Sequence, residues 1–144
     1  MNNCNYRLLS TKEIIEILSS QKVCVVGTSA LDNIKTTPML YVFDYDNNNF
    51  TFYFISINNS IETDNIKSTS LLSIFLENKI SDFYINAYQY LSASGKAQII
   101  NSSNEKQQAI EKFKKKYCNE LKQCIYTNSK LIKASFSNIE GREY

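Results

Sequence analysis

Apolar residues recur along this chain with two periods, and the switch between them marks the elements. Ser10 and Glu13 are spaced as a capping box, and Ile14, Ile15, Ile17 and Leu18 then fall on one face, which predicts a first helix. Strand-like segments follow. Val23 to Ser29 is β-rich and apolar, Asp32-Asn33 is suited to a turn, and Pro38 to Phe43 reads as a second strand. The polar loop Asp46 to Asn49 leads into Phe50 to Ser56, where Phe50, Phe52 and Phe54 share one face and Thr51, Tyr53 and Ile55 the other. Both faces are bulky, so this strand is expected to be covered on each side.

The second half repeats the alternation. Ser60 to Lys67 is briefly helical through Ile61 and Ile66, and Ser70 to Glu77 reads as a strand. A long β-rich stretch, Tyr84 to Ile100, contains Gly95, where a barrel strand can bend sharply. Ser102 and Glu105 make a second predicted capping box ahead of Lys106 to Tyr117, with Ala109, Ile110, Phe113 and Tyr117 as its apolar stripe. Leu131 to Ser137 is the last predicted strand. The expectation is one α+β domain over residues 1–144, dominated by about six strands, with three helices. Its core should take Val23, Val25, Phe52, Phe54, Ile74, Leu76 and Phe136, with Ala109, Ile110 and Phe113 packing the third helix onto the strands. Only three glycines and one proline punctuate the chain, so Asn, Asp and Ser must make most turns.

Composition narrows the chemistry. At 144 residues, with 43% hydrophobic and 21% charged residues, the chain falls in the globular range, which excludes a disordered or coiled-coil protein. The net charge of +2 provides no overall field for nucleic acid or an anionic membrane. There is no histidine, which removes Ser-His-Asp and Cys-His catalysis, HExxH zinc sites and imidazole-ligated haem. Cys4, Cys24, Cys118 and Cys124 form no CxxC pair and read as buried thiols of a reducing cytosol rather than as a metal site. The polar start and the lack of any apolar run near the ~18 residues of a membrane span point to a cytoplasmic protein.

Other candidate motifs reduce to structure. The basic run Lys112 to Lys116 closes a helix, where cations suit the negative end of the dipole, and reads as a solvated helix end. Ten tyrosines and eight phenylalanines at strand spacing are core or interface aromatics rather than base-stacking platforms. Asp44 and Asp46 flank a turn, and Glu62 and Asp64 point to different faces of a short helix. No GxxxxGK[ST] or GxGxxG loop is present. Any chemistry here would be carried by a cofactor.

The order of segments resembles a known family. A helix, then Val23-Cys-Val-Val-Gly-Thr-Ser29, Pro38-Met-Leu-Tyr-Val-Phe-Asp44, Phe52-Tyr-Phe-Ile-Ser56, Ser60 to Lys67, Tyr88-Gln-Tyr-Leu-Ser-Ala-Ser-Gly-Lys-Ala97 and a closing Ile-Glu-Gly-Arg segment is similar to the pyridoxamine 5'-phosphate oxidase-like flavoproteins. The resemblance is to their small one-domain branch, related to nitroimidazole reductases and general stress proteins. It implies a six-stranded split β-barrel with flanking helices, FMN held at a homodimer interface, and oxidoreductase activity on a small molecule. By the same resemblance the flavin ring would lie along Pro38, Met39, Leu40 and Tyr41, whose backbone would hydrogen-bond its edge. Ile55 and Ser56 would follow from the next strand, Ser56 and Ser60 would meet the phosphate, and Gln89 would approach from the paired subunit.

The departures from the family pattern are chemical. Its two basic clamp positions after Ser60 are Ile61 and Glu62 here. A phosphate dianion expects cations, and each charge-assisted bond lost costs about 1.5–3 kcal/mol. Without those cations Ser60 would serve as a helix cap and Glu62 as a first-turn acid, while helix-terminus amides could still hold phosphate. Lys67 or Lys35 could supply charge. The histidine that marks the nitroimidazole-reductase branch is missing, so that activity is not implied. The alternative is a flavin-free, non-enzymatic binding or stress-associated barrel that has lost the clamp.

Overall fold

A computed structural model describes residues 5–30, 32–57, 61–79, 88–127 and 129–144, with the side chains of residues 57, 61, 62 and 79 left aside. The helix and strand order is β1 (Arg7–Leu8), α1 (Thr11–Ser20), β2 (Val23–Ala30), β3 (Asn33–Asp46), β4 (Asn49–Ile57), α2 (Ile61–Thr69), β5 (Leu71–Lys79), β6 (Tyr88–Ile99), α3 (Ser103–Tyr117), α4 (Gln123–Thr127), β7 (Ser129–Phe136) and β8 (Glu140–Glu143). Antiparallel pairings β6-β5-β2-β3-β4-β7 return to β6 and close a six-stranded barrel. The short strands β1 and β8 extend it outside, β8 pairing with Gln89–Ser92 of β6 and β1 with β8. The six-stranded barrel of an α+β chain dominated by strands is thus as expected, with two extra short strands.

Closure depends on strands that change partner part-way. The first half of β6 pairs with β8 and its last residues, Lys96 to Ile99, pair with β7. Gly95 stands at this crossing, and a Cβ there would fall inside the Ser135 carbonyl oxygen and against the Phe136 ring. Only glycine lets the two backbones approach so closely. The turn between β3 and β4 is made by Asn47 and Asn48, with φ of 48° and 62°. Asparagine tolerates this left-handed backbone, which matches the twist of a two-residue hairpin.

The barrel interior is filled by α1 from one side and by strand residues from within. Ser10 and Glu13 form the predicted reciprocal capping box, and Ile14, Ile17 and Leu18 are buried. Phe52 is the centre of the aromatic core, its ring centroid 5.5 Å from that of Tyr41, 5.7 Å from Phe54 and 5.3 Å from Phe136 in an edge-on contact. Outside the barrel, Val42, Ile55 and Leu131 meet Ala109, Phe113 and Tyr117 of α3 in a second cluster, with Ile110 partly buried against it. Both faces of β4 are therefore covered.

One part of the predicted core is corrected. Val23 and Val25 face outward, 48% and 38% exposed, and it is Cys24 and Val26 that point into the barrel. Both sets are apolar, so alternation alone could not choose between them. Phe52, Phe54, Ile74, Leu76 and Phe136 are buried as expected. Two further differences concern α3. Ser102 accepts from the Glu105 N–H, but the Glu105 carboxylate turns to Lys133 at 2.7 Å, so no reciprocal capping bond is made. The basic run is not simply solvated: Lys112 pairs with Asp44, and Lys116 is half-buried against Tyr41. Cys118 and Cys124 are exposed free thiols and only Cys24 is buried; Cys4 lies outside the described residues. Among the described residues, no helix is long and apolar enough to cross a membrane.

Strand β3 pairs with β2 up to Leu40 and with β4 from Tyr41 onward, which strips the β2 side of Tyr41 of its ladder partners. The Tyr117 phenol fills that position. It accepts the Tyr41 N–H at 3.0 Å and offers its proton to the carbonyls of Lys22 at 2.7 Å and Tyr41 at 2.9 Å. Tyr117→Phe should leave these buried groups short of a partner and lower unfolding free energy by about 1–3 kcal/mol. Denaturant melts of the two proteins check this, and an unchanged midpoint would contradict it.

Candidate functional site

The same change of partner opens a split in the barrel wall. Residues Asn33 to Leu40 are paired along one edge by β2, while β4 joins β3 only at Tyr41. Beyond Phe54, β4 continues as Ile55, Ser56 and Ile57, which pair with β7 alone. In an antiparallel pair, alternate residues aim N–H and C=O away from the partner strand. The N-terminal half of β3 thus presents a row of backbone donors and acceptors that no other described strand pairs.

The residues expected at the site are distributed around this split. Pro38 is exposed on its rim, Leu40 is half-buried, and the Met39 and Tyr41 side chains are buried in the barrel core. Ile55 is buried beneath α3. Ser56 is buried with its hydroxyl 3.3 Å from that of Thr63 on α2. Ser60 lies outside the described residues. Gln89 sits on β6, away from the split, with its amide engaged by Asn78 at 3.0 Å and Glu143 at 2.9 Å. Within one chain it is not brought to the other site residues.

Sequence reasoning missed a buried polar layer under α2. Besides Ser56 and Thr63, the Asn65 amide donates to the Thr28 hydroxyl at 3.2 Å; at the exposed end of the helix, Thr69 donates to the Ser29 carbonyl at 2.7 Å. The available signal was the weak amphipathicity of Ile61–Thr69, a helix with few apolar residues that must meet the barrel through polar ones. Two hollows also lie outside the predicted set. One of about 420 Å³ is bounded by Lys67, Lys106 and Lys130. The other, about 560 Å³, lies over Gly27, Ile34, Leu71 and Ser73 on the outer sheet face.

Electrostatically, the most perturbed cluster surrounds Tyr41. The Lys116 ammonium lies 3.6 Å from the centre of its ring and donates to its carbonyl at 3.1 Å. Burial lowers the Lys116 pKa to about 8, opposed by the nearby Cys24. Burial likewise pushes the Cys24 thiol up to about 12 and Tyr117 to about 12, so both stay neutral at physiological pH. A lysine held below its ordinary 10.5 carries a folding penalty in full while it is charged in both states, below about pH 8. Between about 8 and 10.5 the unfolded chain binds the extra proton, so this contribution rises with pH. The stability of wild type relative to Lys116→Met should therefore increase from pH 7.5 to 9.5, as roughly spaced denaturant melts would show. A pH-independent difference would mean that Lys116 titrates normally.

No family model matches the sequence, and no curated protein matches it. Solved structures do resemble the fold. A proposed 5-nitroimidazole antibiotic resistance protein from Bacteroides thetaiotaomicron superposes with a TM-score of 0.75 at 19% identity, over 96% of this chain and 87% of that one. A FAD-binding protein from Mesorhizobium loti gives 0.73 at 13% identity, over 96% and 98%. A proposed pyridoxamine 5'-phosphate oxidase from Corynebacterium glutamicum gives 0.70 at 16% identity, over 100% and 96%. The fold of this chain is thus the split barrel of the pyridoxamine 5'-phosphate oxidase-like proteins.

Proposed function

We propose that this chain binds FMN at the interface of a homodimer and acts as a flavin-dependent oxidoreductase on a small molecule. The observation that carries this reading is the backbone edge of Asn33 to Leu40, which β2 pairs on one side and no other described strand pairs on the other. A planar heterocycle with alternating donors and acceptors along one edge is a suitable complement to such a row. The FAD-binding protein among the similar structures supports a flavin as that heterocycle.

The homodimer is supported by the outer face of the sheet. Val23, Val25, Ile34, Leu71 and Phe75 are all exposed there, with Ile34 at 81% and Leu71 at 55%. Helix α3 covers the opposite part of the barrel wall, where β4 and β7 lie. A contiguous apolar face of this kind is typically an interface, and a second copy presents the same surface in a two-fold arrangement. Gln89, remote from the split in its own chain, would then have a route to it from the partner. Light scattering at micromolar concentration should return two chain masses; one chain mass would exclude this interface.

Bound FMN supplies two-electron hydride chemistry. The chain's part is to orient the ring against the β3 edge, keep bulk water from it with Pro38 and the partner face, and hold the phosphate. The ring fits the backbone groups present. The clamp positions fit the phosphate poorly, because Ile61 and Glu62 stand where cations are needed. Losing two such contacts removes about 3–6 kcal/mol, or roughly 10² to 10⁴ in affinity. FMN should therefore bind weakly and be partly lost on purification. Ile61→Arg with Glu62→Lys should strengthen binding about tenfold or more, and added salt should erode the gain. Flavin fluorescence titration of both proteins reads this. No quenching with either protein would favour the flavin-free barrel, and equal affinities would place the phosphate elsewhere.

A further inference from the structure

We propose that the hollow between α2, the end of β6 and the starts of α3 and β7 is a binding site for a small organic phosphate, held by Lys67, Lys106 and Lys130. The proposal does not rest on the flavin reading. The hollow has a volume of about 420 Å³, and none of the described residues lining it is a carboxylate. None of the three lysines joins an ion pair among the described residues. Like charges gathered around one concavity repel, and an anion relieves that repulsion while gaining charge-assisted hydrogen bonds.

Two further observations point the same way. The Lys106 ammonium is held in place by the Ser129 carbonyl at 3.1 Å, so it is positioned rather than free to swing into solvent. Finally, the N-terminal end of α3 opens at the same rim, through Asn101 and Lys106. The acid that would normally neutralise that end, Glu105, is engaged with Lys133. The positive end of the helix dipole therefore adds to the three ammonium charges.

Three cations match a dianion better than a carboxylate, which selects phosphate. The space exceeds what inorganic phosphate needs, and buried Ile66, Ala97 and Ile100 supply an apolar floor for an organic remainder. Two sources share this chemistry: the phosphate of FMN, or that of a separate metabolite. Lys130 lies directly opposite Ser56 in the β4–β7 register, so the hollow adjoins the polar layer under α2.

The test uses inorganic phosphate as probe, by calorimetry and ³¹P line broadening on the whole protein at low ionic strength. Lys67→Gln/Lys106→Gln/Lys130→Gln should weaken binding about tenfold or more, whereas Lys12→Gln/Lys115→Gln/Lys122→Gln, with the same net charge, should change it less than about twofold. Should the triple variant fail to fold, Lys67→Gln/Lys130→Gln spares the Ser129 contact and should still weaken binding. No phosphate binding by wild type, or equal losses in the two triple variants, would overturn the proposal. FMN and riboflavin titrations then identify the source. Weaker FMN binding with unchanged riboflavin binding in the site variant assigns the flavin's own phosphate to the hollow. Lost phosphate binding with unaltered FMN affinity assigns it a separate ligand.

Discussion

Strand β3 cannot keep both neighbours along its whole length, and much of the structure follows from that. Its first half belongs to β2 and its second half to β4. At the exchange, Tyr41 would be left with buried backbone groups facing nothing, at a cost of about 1–3 kcal/mol for each unsatisfied group. The last turn of α3 brings Tyr117 and Lys116 to that point, and their side chains take the Tyr41 N–H and carbonyl. A helix that a hydrophobic stripe would hold only loosely in register is thereby located by hydrogen bonds at its end.

The arrangement has an electrostatic consequence. Seating an ammonium over the Tyr41 ring brings cation–π attraction but removes it partly from water, and desolvation dominates the Lys116 pKa. Cys24, Tyr41 and Tyr117 remain neutral around it because burial penalises their anions. The region next to α3 is therefore polar in its hydrogen bonding, and burial disfavours the Lys116 charge it holds.

On the far side of the exchange the consequence is geometric. The wall of the barrel opens between the part of β3 that β4 does not pair and the end of β4, and α2 meets that region through polar contacts. Thr28, Thr63 and Asn65 are buried there, a layer that depends on hydrogen-bond geometry and gains little from area burial. Lys67 and Lys130, which join no ion pair among the described residues, border the neighbouring hollow. Lys67, Lys106 and Lys130 reach that hollow from three separate elements, α2, α3 and β7.

Local patterns along the chain set the elements and most of their order. The Phe50-Phe52-Phe54 alternation, the Ser10–Glu13 capping box and the stripe through Ala109, Phe113 and Tyr117 are local patterns with one physical solution each. The order of segments also carried the resemblance that anticipated a six-stranded split barrel. Where two solutions were equally apolar, as for Val23 and Val25 against Cys24 and Val26, the choice fell to the packing of β2 between β3 and β5. The short strands β1 and β8 were likewise invisible, since two and four residues carry no period, and only the free edge of β6 recruits them. The gathering of Lys67, Lys106 and Lys130 around one hollow, and of Tyr117 onto Tyr41, joins residues tens of positions apart. Spacing along a chain reports only neighbours within a helix turn or a strand pleat, so these meetings were decided by the closure of the barrel.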